Sequence, residues 1–291
     1  MKLHLVDGTY ELFRAHFAVP PLSAPDGRPV GAVRGLVQTL MLLLRQPGVT
    51  HVACAFDHVI ESFRNELFEG YKDGSGIPEE LASQFHLAEE AVRALGIVVW
   101  PMVEVEADDA LATAAVRWQD HPDVEQIVIC SPDKDLCQIV SGEKVVCLDR
   151  RREITLDERA VIDKFGVPPA SIPDYLALVG DQADGIPGIP RWGPASAAAL
   201  LDSYRRIEGI PYDPEEWMVK VRGARGLAQN LNDMRPEALL YKKLATLRTD
   251  VPLEESVSDL QWRGVPTPDF RDFCTAQGFT RLAESQLPSR E

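Results

Sequence analysis

The chain has 291 residues, 45% hydrophobic and 26% charged, with a formal net charge of -15, enough apolar material for a full core under an ordinary soluble surface. No run approaches the roughly 20 apolar residues that cross a bilayer, and the N-terminus enters a strand-like segment without a basic leader or cleavage site, so membrane residence is not expected and an intracellular protein is. The five cysteines form no CxxC pair and read as buried reduced thiols, and the six histidines are scattered, so none is read as a ligand.

Residues 3–6 read as a first strand that ends on Asp7. Residues 31–46 carry helical periodicity and lead to a second strand, 52–56, that ends on Asp57. A Gly-rich break over 68–78 is either a plain loop or a mobile gating element. A helix over 79–95, a short strand over 97–100, a helix over 107–118, a strand over 126–130, a helix over 134–140 and a strand over 144–148 follow. This alternation predicts an α/β core with a central, mostly parallel sheet flanked by helices. After residue 168 the pattern changes to helices separated by Pro/Gly turns, which places a boundary between a core over 1–168 and a helical region over 169–291.

Nine carboxylates stand where strands should end or helices begin: Asp7, Asp57, Glu106, Asp108, Asp109, Asp133, Asp135, Asp181 and Asp184. In open α/β sheets ligands bind beyond the carboxyl ends of the strands, so Asp7, Asp57 and Asp133 should converge on one edge. Glu106, Asp108 and Asp109 open a helix, where N-capping is the plainer reading, although capping needs only one acid. So many carboxylates share a pocket only when divalent cations neutralise them. Oxygen ligands without a His or Cys cluster favour Mg²⁺, with Mn²⁺ as a substitute, over Zn²⁺, and that combination points to phosphate chemistry.

The net charge divides into -11 over residues 1–169 and -4 over 170–291. Within the second part, residues 220–248 hold seven basic side chains against two acidic ones. A local basic face of this kind governs binding to a nucleic-acid backbone more than the total charge does.

The ordered series LVDGT, AFD, SFRNELFEGYK, EADDALA, SPDKDL, GDQADGIPGI and LATLRTDVPL resembles the flap endonuclease family, specifically the bacterial 5'-3' exonuclease domain found at the N-terminus of DNA polymerase I or as a stand-alone protein. The resemblance covers nearly the whole chain, and it is the order of the motifs that is specific. It implies a PIN-like core with an arch segment near 68–92, followed by a helix-three-turn-helix region. The implied activity is Mg²⁺-dependent, structure-specific 5'-3' exonuclease or flap endonuclease cleavage of DNA by two ions about 4 Å apart, in replication or repair and in the bacterial cytosol. The implied roles place Asp7, Asp57, Glu106 and Asp108 around a first metal. Asp133, Asp135 and Asp184 surround a second, and Asp109 and Asp181 complete the set. Lys72 and Arg64 match basic positions at the scissile phosphate. Phe13 matches an aromatic on which a terminal base stacks, but it reads equally as core. Tyr71, Gly188, Arg191, Gly193, Ser196, Lys220, Arg222, Lys242 and Lys243 are the implied DNA contacts, and the loop over 185–194 is the implied site of a K⁺ ion.

Two departures from the family pattern stand out. Arg191, Trp192 and Ala195 occupy positions where relatives often have Gly, an aliphatic residue and Lys. Residues 73–92 carry five acids and no Lys or Arg, where relatives place basic residues that thread a single strand, so the grip on a long 5' flap should be weak. The expected partners are DNA with 5' ends, flaps or nicks, an RNA–DNA hybrid and a separate DNA polymerase, because no polymerase domain is expected in the chain itself. The competing readings are a PIN-like ribonuclease and a non-catalytic structure-specific DNA-binding module.

Overall fold

The computed structural model describes residues 1–286. In chain order it contains β1 (Lys2–Asp7), α1 (Gly8–Ala18), α2 (Gly31–Leu44), β2 (His51–Asp57), α3 (Phe63–Leu67), α4 (Glu79–Ala82), α5 (Phe85–Ala94), β3 (Val98–Met102), α6 (Ala107–Trp118) and β4 (Gln126–Cys130). β5 (Val145–Asp149), β6 (Ile154–Leu156), α7 (Glu158–Phe165), α8 (Ile172–Val179), α9 (Pro194–Tyr204), α10 (Ala224–Asp233), α11 (Arg235–Ala245), α12 (Thr267–Ala276) and α13 (Thr280–Ala283) complete the chain. Two compact units alternate along the sequence: Met1–Ile60, Gly74–Ser131 and Thr249–Glu291 make the first, Glu61–Asp73 and Pro132–Arg248 the second.

The first unit is built on parallel strands in the order β3, β2, β1, β4. Leu3, Leu5, Val6, Ala53, Cys54 and Ala55 are fully buried. Strands covered on both faces cannot alternate polar with apolar residues, which is why these segments read as unbroken apolar runs. Because β1 and β2 run the same way, with Asp7 in register with Ala55, their last residues, Asp7 and Asp57, stand at the same edge of the sheet. The tail from Thr249 packs back onto this unit. Trp262 donates its indole N–H to Leu95 O at 2.9 Å, and Arg117 Nη1 donates to Leu253 O at 2.7 Å.

In the second unit β5 pairs antiparallel with β6, with Cys147 opposite Leu156, and α8 packs against both α9 and α11. The expected α/β class and helical second part are therefore present. Three local readings differ. Residues 134–140 form a 3₁₀ turn over Asp135–Ile139, because the Asp135 N–H is taken by Asp133 Oδ1 at 2.9 Å. The helix expected over 79–95 is broken at Ser83–Gln84, where the fully buried Gln84 accepts a hydrogen bond at 3.2 Å from Val33 N–H in the first turn of α2. α1 is a helix that periodicity did not reveal. The five cysteines are free and buried, and burial alone pushes the Cys274 thiol up to about 11, which keeps it unreactive. Among the described residues no helix is long and apolar enough to cross a membrane.

Candidate active site

In the first unit, backbone N–H groups hold the acids at the sheet edge in place. Asp7 caps α1, accepting from Tyr10 N–H at 2.8 Å through Oδ1, while its Oδ2 accepts from Ser131 Oγ at 2.9 Å. Asp57 accepts from Ala107 N–H, at the start of α6, at 2.8 Å. Helix N-termini favour negative charge, so each acid is stabilised where it stands without neutralising the group. Asp109 is fully buried, and its Oδ2 accepts from Glu106 N–H at 3.0 Å. Glu106 and Asp109 form a reciprocal capping box at the start of α6, the Glu106 side chain accepting from the Asp109 N–H in return, while Asp108 between them is half-exposed.

The second unit gathers its own set. One carboxylate oxygen each from Asp135, Asp181 and Asp184, all buried, lies within 4.8 Å of the others. The loop that carries two of them is closed by reciprocal hydrogen bonds: Asp181 N–H to Ile186 O at 2.8 Å and Ile186 N–H to Asp181 O at 2.7 Å. Gly185 has φ +74, and a Cβ there would meet Gly70 O at 2.2 Å. Only glycine lets the two backbones come this close. Beside that contact, Lys72 N–H donates to Asp184 O at 3.0 Å and Lys72 Nζ lies 2.9 Å from Asp184 Oδ1. Lys134 Nζ lies 2.6 Å from Asp181 Oδ1. Burial first and the charge of Asp184 second push the Asp133 carboxyl above its usual range. Burial is the largest influence on Lys134 and pulls its ammonium down, but the hydrogen bond and charge of Asp181, with Asp135 and Asp133, outweigh it and leave the lysine raised. Two lysines therefore partly compensate a set of carboxylates that would otherwise repel one another.

Arg64 does not stand at a surface where a phosphate can reach it. It is 1% exposed, with Nε donating to Leu244 O at 2.8 Å and Nη2 to Thr246 O at 3.1 Å. Its neighbour Asn65 donates to Lys72 O at 2.9 Å, so this segment sets the position of Lys72. Tyr71 is buried beneath the Lys72 ammonium, 5.6 Å from its ring centroid. Phe13 is half-buried and packs edge-on against Phe85, with ring centroids 5.9 Å apart.

Among the expected nucleic-acid contacts, Lys220, Arg222 and Lys243 are exposed, whereas Lys242 is held between Asp174 at 2.9 Å and Glu208 at 2.8 Å. Lys242 is engaged inside the protein, which corrects its reading as a backbone contact. Arg191 is exposed at φ +70, a conformation that suits the glycine expected there, and Trp192 is buried with its indole N–H on Leu227 O at 3.1 Å. Gly193 caps α9, Ser196 lies half-buried in its first turn, and Gly188 is buried at φ +73. Of the five acids over 73–92, Glu89 is buried and paired with His58 and Arg93, so four face outward.

The family model "5'-3' exonuclease, N-terminal resolvase-like domain" matches residues 2–166, and "5'-3' exonuclease, C-terminal SAM fold" matches residues 167–267. The chain is 37% identical over 269 residues to DNA polymerase I of Pseudomonas aeruginosa, which covers 89% of this chain and 28% of that protein. It spans about a third or less of such polymerase relatives. It is 34% identical over 260 residues to the 5'-3' exonuclease of Aquifex aeolicus, covering 89% of this chain and 86% of that one. The fold is similar to that of the D15 flap endonuclease of bacteriophage T5, with a TM-score of 0.67 at 19% identity, covering 98% of this chain and all of the other.

Proposed function

The chain belongs to the 5'-3' exonuclease family, and on that premise we propose that it is a Mg²⁺-dependent, structure-specific 5'-3' exonuclease or flap endonuclease that hydrolyses DNA phosphodiester bonds in replication or repair. The observation that carries this reading is the buried trio Asp135, Asp181 and Asp184 with Lys72 beside it. Three convergent carboxylate oxygens without sulfur or nitrogen are the donor set of a hard divalent cation, so the residues fit Mg²⁺ or Mn²⁺. A bacteriophage T5 relative in fold is described as a pseudo-enzyme-product complex with DNA and metal ions, which supports the same ligand classes here.

In this reading Asp7, Asp57, Glu106 and Asp108 hold one ion and Asp135, Asp181 and Asp184 a second, with Asp133 beside the second set. The ions, when bound, supply Lewis-acid activation of water and stabilisation of the leaving oxygen. Lys72 contributes positive charge where negative charge develops on the phosphate oxygens, an interaction that strengthens toward the transition state. Asp109 orients Glu106, and Arg64 with Asn65 orients Lys72. A K⁺ ion at the 185–194 loop and the division into a core over 1–168 and a DNA-binding region over 169–291 belong to the same proposal. The direct test is digestion of 5'-labelled flap, nicked, blunt duplex, RNA–DNA hybrid and single-stranded RNA substrates in parallel, with and without Mg²⁺. Cleavage of 5' flap or nicked DNA that stops with EDTA is expected, whereas cleavage confined to RNA would assign a PIN-like ribonuclease instead.

Two further outcomes follow from the charges. An entering cation must displace Lys134 from Asp181, so Lys134→Met should bind Mg²⁺ about tenfold more tightly in the absence of DNA. The unscreened repulsion of a nearby ammonium exceeds the ~1.4 kcal/mol this represents, and partial exposure reduces it to that order. Calorimetric Mg²⁺ titration of both proteins checks it, and an equal or weaker affinity in the variant would show that Lys134 does not guard the site. For duplex anchoring, Arg222→Ala combined with Lys243→Ala should weaken binding without sequence preference. It should flatten the slope of log K against log salt by about 1 to 2, as fewer counterions are released. Lys242→Ala alone should leave that slope unchanged, because its charge is engaged by Asp174 and Glu208.

A further inference from the structure

His58, His86 and Glu89 bring three metal-binding atoms within 4.8 Å of one another, none of them an atom of the carboxylates used above, and we propose that they form a separate transition-metal site suited to Zn²⁺. His58 directly follows the last residue of β2, while His86 and Glu89 lie one turn apart on the same face of α5. Their distance in the sequence conceals the group, and the fold assembles it. Glu89 is the fixed member: its side chain is 5% exposed, with Oε1 2.7 Å from His58 Nδ1 and Oε2 3.3 Å from Arg93 Nη2. The two imidazole rings have centroids 4.5 Å apart and planes inclined by 60°. His58 is half-buried and His86 is exposed, so the group opens to water on one side.

The donor chemistry separates this group from the acidic sets. Two imidazole nitrogens and one carboxylate oxygen make a borderline-soft triad of the kind that binds Zn²⁺ with a fourth position left to water, and such nitrogen-rich sites discriminate strongly against Mg²⁺. Hard all-oxygen sets do the reverse. The protein would then carry two kinds of metal site of different selectivity, and the zinc site would tie α5 to the residue after Asp57. In the absence of metal Glu89 is held by a hydrogen bond with His58 Nδ1 and an ion pair with Arg93.

The test uses the full chain in millimolar Mg²⁺, so that the carboxylate sets are filled. Zn²⁺ titration followed by calorimetry, and Co²⁺ titration followed by visible absorption, are compared for wild type, His86→Ala and Glu89→Gln. Wild type should bind one equivalent of Zn²⁺ and give the intense absorption of low-coordinate Co²⁺. Both variants should lose the band and bind Zn²⁺ more weakly by more than the ~10–100-fold that removal of an outer partner costs, since each removes a direct ligand. His86 is exposed and Glu89→Gln preserves side-chain shape, and circular dichroism and unchanged Mg²⁺-supported cleavage establish that both variants fold. Equal Zn²⁺ stoichiometry and affinity in all three proteins, or the absence of the Co²⁺ band in folded wild type, would overturn the assignment and leave an ion pair.

Discussion

Asp135→Asn and Asp184→Asn should each cleave DNA at least about a thousandfold more slowly than the unaltered chain while remaining folded. Each substitution keeps the side chain's shape and removes one negative charge from a buried trio whose oxygens lie within 4.8 Å. A thousandfold corresponds to about 4 kcal/mol of lost transition-state stabilisation, a modest demand on a group that holds a catalytic ion. A second readout separates loss of metal from loss of fold. A ligand that binds only the native state raises the melting temperature, so Mg²⁺ should raise it for the unaltered chain and distinctly less for either variant. If either variant cleaves normally, its carboxylate is not a ligand. If both lose activity but keep the full Mg²⁺-induced rise, the trio acts on substrate rather than on metal.

How far the sequence reveals this site depends on the range of the interactions that make it. β1 and β2 are legible because double-sided burial leaves uninterrupted apolar runs, and the polar residue that ends each run is the acid at the sheet edge. The nine acids stand out in the sequence because their number exceeds what capping requires, and the structure brings three of them, Asp135, Asp181 and Asp184, within 4.8 Å of one another. Their individual tasks are not legible, since a carboxylate that caps and one that ligates look alike until its partner is known. Asp109 is engaged by Glu106 N–H, whereas Asp181 faces Lys134. The basic stretch over 220–248 shows the same limit. Lys242 and Lys243 are neighbours in sequence, yet only the structure reveals that Asp174 and Glu208 hold one and leave the other exposed. α1 escapes periodicity because it starts at Gly8 immediately after a strand, and its cap is the same Asp7 that ends the strand.

Arg64→Ala should destabilise the fold by roughly 3 to 5 kcal/mol, the range expected when a buried, hydrogen-bonded charged side chain is removed. The guanidinium is 1% exposed and satisfies the carbonyls of Leu244 and Thr246, so truncation leaves acceptors buried without these donors and opens a cavity beneath Phe63, whose ring lies 4.6 Å from the Arg64 Cζ. Arg64→Lys should recover only a small part, because one ammonium cannot reproduce the fork that reaches two carbonyls. A phosphate-binding arginine would behave otherwise, with little change in stability, a large loss of rate and good rescue by lysine. Urea denaturation measures the first quantity, and cleavage per folded molecule measures the second. Some rate is still expected to be lost, since Arg64 anchors the segment in which Asn65 holds Lys72 O and Lys72 meets Asp184. That loss should resemble the defect of Lys72→Ala and should not add to it when the two changes are combined, because residues acting through one contact are not independent. Near-native stability together with a rate loss additive to that of Lys72→Ala would return Arg64 to the substrate and remove it from the framework.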